Sequence, residues 1–354
     1  MILFLPLIVI GVGYFLSRLM KIVDKPHLYV DTKGRQPIPT LQGIWWTLAI
    51  VLAFGLVLDG FPQPYGYVVF GLLVLCFVGT IDDVAVGLSL HPLVRFGVQV
   101  LCSVVLVYGA DIPLTVSFFP LPSSIGLVLS VVRCLLCINA LNRFDGINGQ
   151  ASGMASIGFF TIAFVILFVV LPAYPAIDEV RLLLLDHVGI ISFVAGVLCL
   201  VMSVIEWKPW GLVRDAGILP MGLLLAFLSL QGGAKVGTML VVLLPVILDS
   251  LWVIVHRLVV LRKAPWKGDY THLHHRLQGL GWSKKESKVA VWIRGIVMAV
   301  MMLIQGDNSW NKVIIFLLMA ALFWGINAYV FWVKKLPVGF SHAIKPYTDD
   351  KKLS

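Results

Sequence analysis

Carboxylate and amide side chains stand at the ends of long apolar segments in this sequence. Asp82 and Asp83 close one such segment, and Asn139, Asn142 and Asp145 follow one another at three-residue intervals at the end of another. Residues three apart share one face of a helix, so the two amides and the carboxylate are expected to point the same way. Carboxylate and amide oxygens are ligands that Mg²⁺ prefers. The pattern therefore favours a magnesium site.

Both stretches also have a structural interpretation. Asp82 and Asp83 alone are compatible with two solvated loop acids, and residues 139–149 with a helix C-terminus closed by Gly146 and Gly149. Acidic residues at a membrane edge usually face a cavity, a cation or a partner, because desolvating a carboxylate is costly. We therefore favour the functional interpretation for both stretches.

A polar, basic loop, residues 256–288, joins two further apolar segments and holds eight of the 27 Lys and Arg residues. Within it, His272, His274 and His275 are followed by Arg276. Such a cluster beside lipid predicts an anionic ligand. The alternative is zinc held by the three histidines with Asp269, but these histidines lack the i, i+4 spacing of the common zinc helix.

Two more charged residues lie inside apolar segments. Arg95 follows Asp83 by twelve positions, with Gln99 one turn further along the same face. A guanidinium there would hold a phosphate close to the carboxylates. Asp249 interrupts a later segment, where exposure to lipid would be costly, so it is predicted to pair inside the bundle in a structural role.

The composition defines the elements that must position these groups. The 354 residues are 59% hydrophobic and 13% charged, about half the charged fraction of a soluble domain. The predicted fold class is an all-α polytopic integral membrane helix bundle with about eleven transmembrane helices. The segments that approach a spanning length are 2–22, 42–59, 66–81, 92–110, 122–141, 151–172, 187–205, 215–231, 236–257, 289–305 and 311–333. One domain, 1–354, is predicted, ending in a short cytoplasmic tail at 334–354.

Basic residues are unevenly divided between the loops. One set of alternate loops, together with the tail, holds most of them, including Lys33, whereas the opposite loops hold Arg181, Lys235 and Lys312. Short cytoplasmic loops are enriched in Lys and Arg, so the N-terminus is predicted outside and the C-terminus in the cytoplasm. The formal net charge of +9 is then mainly a topology signal that also suits membrane lipids. Nucleic acid is a poor partner, because the basic residues are split among membrane loops.

The cysteines give no sign of a metal or redox site. The C-x-x-C of Cys134 and Cys137 has no second pair and is embedded in apolar sequence. All five are interpreted as small apolar helix residues: Cys76, Cys102, Cys134, Cys137 and Cys199.

Taken together, these stretches resemble the family of polyprenyl-phosphate N-acetylhexosamine-1-phosphate transferases. Asp82-Asp83 resembles its aspartate pair, residues 139–149 its N-x-x-N-x-x-D-G-x-x-G signature, and Asp215-x-Gly217 its D-x-G motif. Residues 245–277 are similar to its last cytoplasmic loop. The motifs keep the family's order from residue 24 to 277. The His-Leu-His-His-Arg-Leu form is similar to the branch that starts O-antigen and related cell-envelope glycans, rather than the branch using a muramyl-pentapeptide nucleotide.

The resemblance implies transfer of GlcNAc-1-phosphate from UDP-GlcNAc, a UDP-N-acetylhexosamine, to undecaprenyl phosphate, with release of UMP. It further implies Mg²⁺ (Mn²⁺ as an alternative) and a bacterial inner membrane location with a cytoplasmic active site. Asp82, Asp83 and Asp145 are the expected catalytic residues, and Asp215 and Asn142 the metal ligands. Substrate binding is expected from Lys33, Arg95, Asn139, His272, His274, His275 and Arg276.

The sequence departs from the family pattern next to one expected metal ligand. Arg214 precedes Asp215 and Ile218 follows Gly217, where the family usually has glycine and serine, and Glu206 replaces an amide. A silent or altered-donor relative that binds lipid phosphate or nucleotide sugar is therefore an alternative function. A secondary transporter is another, disfavoured because the motifs cluster at one membrane face without an inverted repeat. A homodimer and the identity of the sugar stay open.

Overall fold

The computed structural model describes the helical body of the chain. The described residues are 11, 29–30, 38–58, 64–84, 90–112, 122–173, 179–207, 210–231, 244–260, 262, 272–305 and 309–332. Nearly all of this is helix, as the all-α prediction requires. The predicted first span lies outside the described residues apart from Gly11, as do the predicted tail, Lys33 and Asp269.

Within the described residues, eleven helices and one short hairpin follow in chain order. Strands β1 and β2 form an antiparallel pair in which Tyr29 pairs with Pro39. Helix α5 continues through a π-helical turn at Ile166–Val170 into Leu171–Ala173, and α8 continues into another at His256–Val260. The elements are β1 Tyr29–Val30, β2 Ile38–Pro39, α1 Gln42–Val57, α2 Tyr65–Val84, α3 Pro92–Gly109, α4 Ser123–Phe144, α5 Gln150–Val165, α6 Glu179–Trp207, α7 Arg214–Gln231, α8 Leu244–Val255, α9 Leu273–Gly279, α10 Lys284–Gln305 and α11 Ser309–Trp332.

Five helical segments of the described chain are long and apolar enough to cross a membrane. They are Tyr65–Val84, Pro92–Gly109, Ser123–Phe144, Gln150–Val170 and Leu182–Trp207. Shorter apolar helices are Gln42–Val57 and Val313–Phe323. Large apolar side chains such as Phe77 and Phe168 point outward from these segments, 67% and 70% exposed, as expected of a surface that faces lipid. A multi-pass helix bundle is thus confirmed, while the count of eleven spans and their orientation stay predictions.

Helix α7 is the centre of the bundle. It packs against α1, α2, α4, α5 and α6, and every residue from 216 to 229 is buried. Pro220 lies inside this helix and lacks an N–H, so the carbonyl of Ala216 loses its helical donor. The hydroxyl of Thr47 on α1, which donates to the carbonyl of Gly43 at 3.0 Å, also lies 3.4 Å from the carbonyl oxygen of Ala216. The predicted segment 215–231, one of the shorter apolar runs, is therefore an enclosed helix because its neighbours cover it.

Capping residues stabilise the first turns of α3 and α10. Helix α3 begins with Pro92 after His91, whose ring accepts from the backbone N–H of Leu93, and proline suits the first helical turn. Helix α10 begins at a capping box in which Ser283 and Glu286 each bond the other's backbone N–H, at 3.2 and 2.7 Å. Such reciprocal bonds satisfy amides that a helix start leaves free.

Candidate active site

Three helix ends meet at one end of the bundle. Helices α2 and α4 run antiparallel to α7, so their last residues lie beside its first. A Cβ added to Gly79 of α2 would lie 2.5 Å from the backbone carbon of Asp215, which shows how closely α2 approaches the start of α7. The carboxylates of Asp82 and Asp83, the amide of Asn142 and the carboxylate of Asp215 are thereby collected in one cluster.

Asp215 is held on both of its oxygens. The amide nitrogen of Asn142 donates to Oδ1 at 2.8 Å, and Nη1 of Arg95 contacts Oδ2 at 2.7 Å. The same Arg95 nitrogen also bonds Asp82, whose other oxygen accepts from the backbone N–H of Leu90 at 2.9 Å. Arg95 therefore bridges two carboxylates from different helices, and a charge-assisted bond of this kind is about twice as strong as a neutral one.

The carboxylate of Asp83, on α2, caps the N-terminal end of α7. Its Oδ2 accepts from the backbone N–H of Ala216 at 3.0 Å, and its Oδ1 contacts Nε of Arg214 at 3.3 Å. A carboxylate at a helix N-terminus satisfies a free N–H and opposes the positive end of the helix dipole. The side chain of Asp83 is 3% exposed, so it is more enclosed than Asp82.

The two asparagines of the 139–149 stretch have different partners. Asn142 binds Asp215, whereas the amide nitrogen of Asn139 donates to Oε1 of Gln99 at 2.7 Å and to its own helix at the carbonyl of Leu135. Asn139 and Gln99 thus join α4 to α3 one turn below the carboxylate cluster. The structure brings both asparagines to the correct end of the bundle, but only Asn142 contacts the cluster.

Residues 145–149 form the turn that links α4 to α5. Gly149 has φ +81°, a left-handed conformation that suits glycine. Asp145, at the start of the turn, is half-buried and accompanied by further acids. Burial, with the neighbouring carboxylates of Glu206 and Asp215, raises the pKa of Asp145 well above its usual range. A carboxyl in this setting retains its proton more readily than a solvated one.

The histidine loop lies against this turn. His274 is 1% exposed, and a Cβ added to Gly146 would lie 2.1 Å from its Nε2. The His275 ring lies 4.1 Å from that of His274. His272 and Arg276 instead face α8, where both contact Asp249 at 2.8 and 3.2 Å. The pairing of Asp249 inside the bundle, which the sequence predicts, is therefore present.

Comparison with known proteins shows which families and relatives this chain is similar to. A family model described as glycosyl transferase family 4 matches residues 65–233, which contain both aspartate motifs and the asparagine signature. A probable undecaprenyl-phosphate N-acetylglucosaminyl 1-phosphate transferase of Bacillus subtilis is 26% identical over 246 residues, 65% of this chain and 63% of that protein. The chain is therefore similar to polyprenyl-phosphate sugar-1-phosphate transferases over most of its helical body.

Two other relatives have names that specify different sugars. The phospho-N-acetylmuramoyl-pentapeptide-transferase of Helicobacter acinonychis is 26% identical over 337 residues, 80% of this chain and 89% of that protein. The undecaprenyl-phosphate alpha-N-acetylglucosaminyl 1-phosphate transferase of Escherichia coli O157:H7 is 22% identical over 293 residues, 78% and 75% of the two chains. The matched relatives thus differ in the sugar that their names specify.

One buried cation in this region, Lys288, belongs to none of the sequence motifs. Lys288 of α10 is 4% exposed, donates to the carbonyl of Asn148 at 2.8 Å and lies 4.0 Å from the ring centre of Trp207. Burial lowers the pKa of Lys288 to about 8, although Glu206 opposes the shift. Trp292, one turn further along α10, also faces this lysine, with its ring centre 5.5 Å from Nζ. The spacing of Lys288 and Trp292 is the one weak signal of this contact in the sequence.

Glu206 is the acidic counterpart of Lys288 and is enclosed from all sides. Its Oε2 accepts from the hydroxyl of Ser152 at 2.7 Å, and its Oε1 from the backbone N–H of Val213 at 3.0 Å. It therefore ties α5 and the segment before α7 to the end of α6. These two hydrogen bonds show that the carboxylate of Glu206 is satisfied by donors of the protein.

Arg214, the departure next to Asp215, stands in a strained conformation. Its φ is +49°, a region that costs a non-glycine residue about 1–2 kcal/mol. We expect Arg214→Gly to be more stable than Arg214→Ala by about 1 kcal/mol, because both lose the contact with Asp83 but only glycine relieves the backbone. Thermal unfolding of the two purified variants measures the difference. Equal stability, or a more stable alanine variant, would contradict this account.

The buried His274 predicts a loss of stability in acid. Burial and the adjacent His275 ring lower the pKa of His274 to about 3, and neither ring nitrogen has a hydrogen-bond partner among the described residues. Between pH 6.5 and 3 the unfolded chain takes up a proton that the folded chain refuses, so this group makes stability fall as the pH falls. The expected contribution from pH 7 to pH 5 is about 2 kcal/mol.

Thermal unfolding at pH 7 and pH 5 tests the His274 effect. His274→Gln is expected to lose less stability over this interval than the wild type, because glutamine does not titrate. An unchanged pH dependence in His274→Gln would contradict the prediction.

Proposed function

We propose that this protein transfers a sugar-1-phosphate, with GlcNAc-1-phosphate as the preferred group, from a UDP-sugar to undecaprenyl phosphate. An oxygen of the lipid phosphate forms a bond to the sugar-bearing β-phosphorus, and the bond from that phosphorus to the bridging oxygen breaks. The bridging oxygen leaves with UMP. The product is a lipid-linked sugar diphosphate that starts a cell-envelope glycan, made at the cytoplasmic face of a bacterial inner membrane.

The observation that carries the proposal is the convergence on Asp215. Its carboxylate, at the start of the enclosed helix α7, is bonded by Asn142 and Arg95, and Arg95 also holds Asp82. Three motifs that are far apart in the sequence thus form one polar cluster at one end of the bundle. The names of the relatives from Bacillus subtilis and Escherichia coli support undecaprenyl phosphate and an N-acetylglucosamine-1-phosphate group as the substrates.

The cationic and acidic side chains of the cluster have different roles in positioning the two anions, the lipid phosphate and the nucleotide sugar. Arg95 has a planar guanidinium whose nitrogens pair with phosphate oxygens in two-point fashion, and it stands between the carboxylates that a phosphate would approach. Asp82 is more open than Asp83 and is the better placed of the two to orient the lipid phosphate or take its proton. Asp83 keeps the start of α7 in place through Ala216. Phosphoryl transfer depends chiefly on such positioning and electrostatic stabilisation.

The donor set suits the proposed Mg²⁺. Each carboxylate oxygen of Asp215 has a second lone pair beyond the one used by its protein donor, and Asn142 donates through nitrogen, which leaves its amide oxygen available. With all three carboxyl groups ionised, Asp82, Asp83 and Asp215 outnumber Arg95 and Arg214, so a bound cation would offset the excess. Among the described residues no three His, Cys, Asp or Glu side chains form a metal-binding group.

Asp215 and Asn142 are the residues proposed to hold the ion. Mg²⁺ usually takes one or two protein carboxylates and completes its shell with waters and substrate phosphates, and when bound it neutralises charge that develops on the diphosphate. His274 and His275, packed against the turn at Gly146, are proposed to cover the nucleotide diphosphate and sugar. Asp145 supports this side of the site as a carboxyl whose burial favours the protonated form.

Release of UMP by the purified full-length protein tests the function. The assay contains undecaprenyl phosphate and Mg²⁺, with UDP-GlcNAc, UDP-GalNAc and UDP-MurNAc-pentapeptide offered separately. Lipid-dependent release is expected with UDP-GlcNAc, at least tenfold faster than with the other two, and is expected to be lost without Mg²⁺. Asp82→Asn is expected to abolish release, whereas Asp186→Asn, at an exposed position of α6, retains it.

The outcomes separate the parts of the proposal. Release with a different sugar keeps the reaction and changes the donor, as the name of the Helicobacter relative illustrates. Release without undecaprenyl phosphate indicates hydrolysis of the nucleotide sugar rather than transfer. No release from folded protein with any donor contradicts the proposed activity.

A further inference from the structure

Asp249 organises the histidine loop from a fully buried position on α8. The side chain is 0% exposed and receives three donors, all from the segment 272–276. Its Oδ1 accepts from the backbone N–H of Leu273 at 2.7 Å and from the Arg276 guanidinium at 3.2 Å. Its Oδ2 lies 2.8 Å from Nδ1 of His272. One carboxylate therefore fixes the start of α9, the cation within it and the imidazole before it.

The two carboxylate oxygens of Asp249 bond different groups of the segment 272–276. The bonds to Leu273 and Arg276, both on Oδ1, hold α9 against α8. The bond on Oδ2 engages the ring of His272 alone and orients that ring. A carboxylate only accepts, so Nδ1 of His272 carries the hydrogen of this contact and Nε2 is the ring nitrogen left for other partners.

His272 is close to the candidate active site through its neighbour. Its ring lies parallel to that of His274, 6° between planes and 5.7 Å between centres. His274 in turn lies against Gly146 in the turn that follows Asn142. The His272 side chain is 11% exposed, so part of the ring is accessible although its Nδ1 side is buried against Asp249.

We propose that Asp249 is a positioning residue for the transfer reaction, acting by holding Nδ1 of His272 so that Nε2 is presented to the nucleotide sugar. The inference rests on the proposed function and deepens it. With Nδ1 bonded to a carboxylate, the ring in its charged form donates from Nε2 to an anionic phosphate oxygen of the departing UMP. Asp249, which touches no substrate, thereby fixes the direction in which the His272 ring presents Nε2.

Asp249→Asn reverses the hydrogen-bond polarity at His272. The asparagine oxygen is expected to face Leu273 and Arg276, which provide two donors. Its amide nitrogen then faces Nδ1 of His272 and donates to it, so the ring must carry its hydrogen on Nε2 and cannot hold a second one on Nδ1. We expect the kcat for UMP release to fall roughly 100-fold, with the KM for UDP-GlcNAc changed less than about threefold, because the lost interaction belongs to the transition state.

A double-mutant cycle distinguishes this role from a structural one. If Asp249 acts through His272, Asp249→Asn is expected to cost less than about threefold in kcat when it is added to His272→Gln, because the ring it orients is gone. A purely structural Asp249 would cost the same in both backgrounds, which would overturn the proposal. Asp186→Asn is the matched exposed control, and thermal unfolding checks that each variant is folded.

The ring itself provides a readout that does not need activity. In ¹⁵N-histidine-labelled protein, with His272→Gln used to assign the signal, we expect the His272 hydrogen on Nδ1 in the wild type and on Nε2 in Asp249→Asn. A wild-type hydrogen on Nε2 alone overturns the inference whatever the enzyme does. Absent UMP release with all donors contradicts the proposed function separately, and normal kcat in Asp249→Asn with an active wild type contradicts only the positioning role.

Discussion

Asp215→Asn is expected to reduce UMP release roughly 1,000-fold while the protein stays folded. Asparagine has nearly the same shape, and Asn142 can turn its amide to match the new side chain, so the contact between α4 and α7 persists. The negative charge that Arg95 and the proposed ion both need is lost. Removing one electrostatic group aimed at developing charge typically costs 10²–10³-fold, and here the same group is also proposed to hold the cation.

Steady-state kinetics and thermal unfolding separate the two effects of this substitution. The unfolding midpoint of Asp215→Asn is expected to stay within a few degrees of the wild type, whereas kcat collapses. Asp186→Asn removes a charge from an exposed position of α6 and is expected to leave both unchanged. An Asp215→Asn enzyme that keeps more than a tenth of its activity with Mg²⁺ would remove Asp215 from the mechanism.

The convergence of the polar motifs could be predicted because of how membrane segments are connected. Successive apolar segments end on alternate faces of a membrane, so Asp82 at the end of one and Asp215 at the start of another fall on the same face if the intervening segments all cross. The structure places these two carboxylates on one Arg95, which confirms that they are neighbours. Helix ends are therefore the part of this site that spacing in the sequence identifies well.

The partners within the cluster could not be predicted from spacing. Asn139 and Asn142 lie on one face of α4, yet one binds Gln99 of α3 and the other Asp215 of α7. Which helix each amide meets depends on the tilt and closeness of three helices. Lys288 was missed for the same reason, since its bond to the carbonyl of Asn148 joins residues 140 positions apart.

The length of the apolar run is a poor predictor of helix α7. The segment 215–231 was predicted from a short apolar run containing Pro220 and two glycines, features that normally weaken a helix. In the structure these residues allow close packing instead: a Cβ on Gly222 would lie 2.5 Å from Cα of Ile138. Local propensity is overridden because the surrounding helices bury residues 216–229 of α7.

Gly43→Ala is expected to destabilise the protein more than any other glycine-to-alanine change on α1. An added Cβ would lie 2.2 Å from the backbone nitrogen of Gly217 and 2.5 Å from the carbonyl oxygen of Val213. Both are backbone atoms, so no side-chain rotation can make room, and α1 must move away from the start of α7. We expect a loss of roughly 3 kcal/mol or more in the free energy of unfolding, measured by thermal denaturation in detergent.

The displacement also reaches the candidate site, because Gly217 follows Asp215 by two residues. Gly97→Ala is the matched control: it changes a glycine of α3 with nothing within 4 Å of the added Cβ, and alanine in place of glycine in a helix adds up to about 1 kcal/mol of stability. We therefore expect Gly97→Ala to unfold at or above the wild-type temperature with normal UMP release, and Gly43→Ala to lose both stability and release. If Gly43→Ala unfolds like the wild type, α1 does not pack on α7 at this glycine, and the close contact that seats Asp215 beside Asp83 is not required.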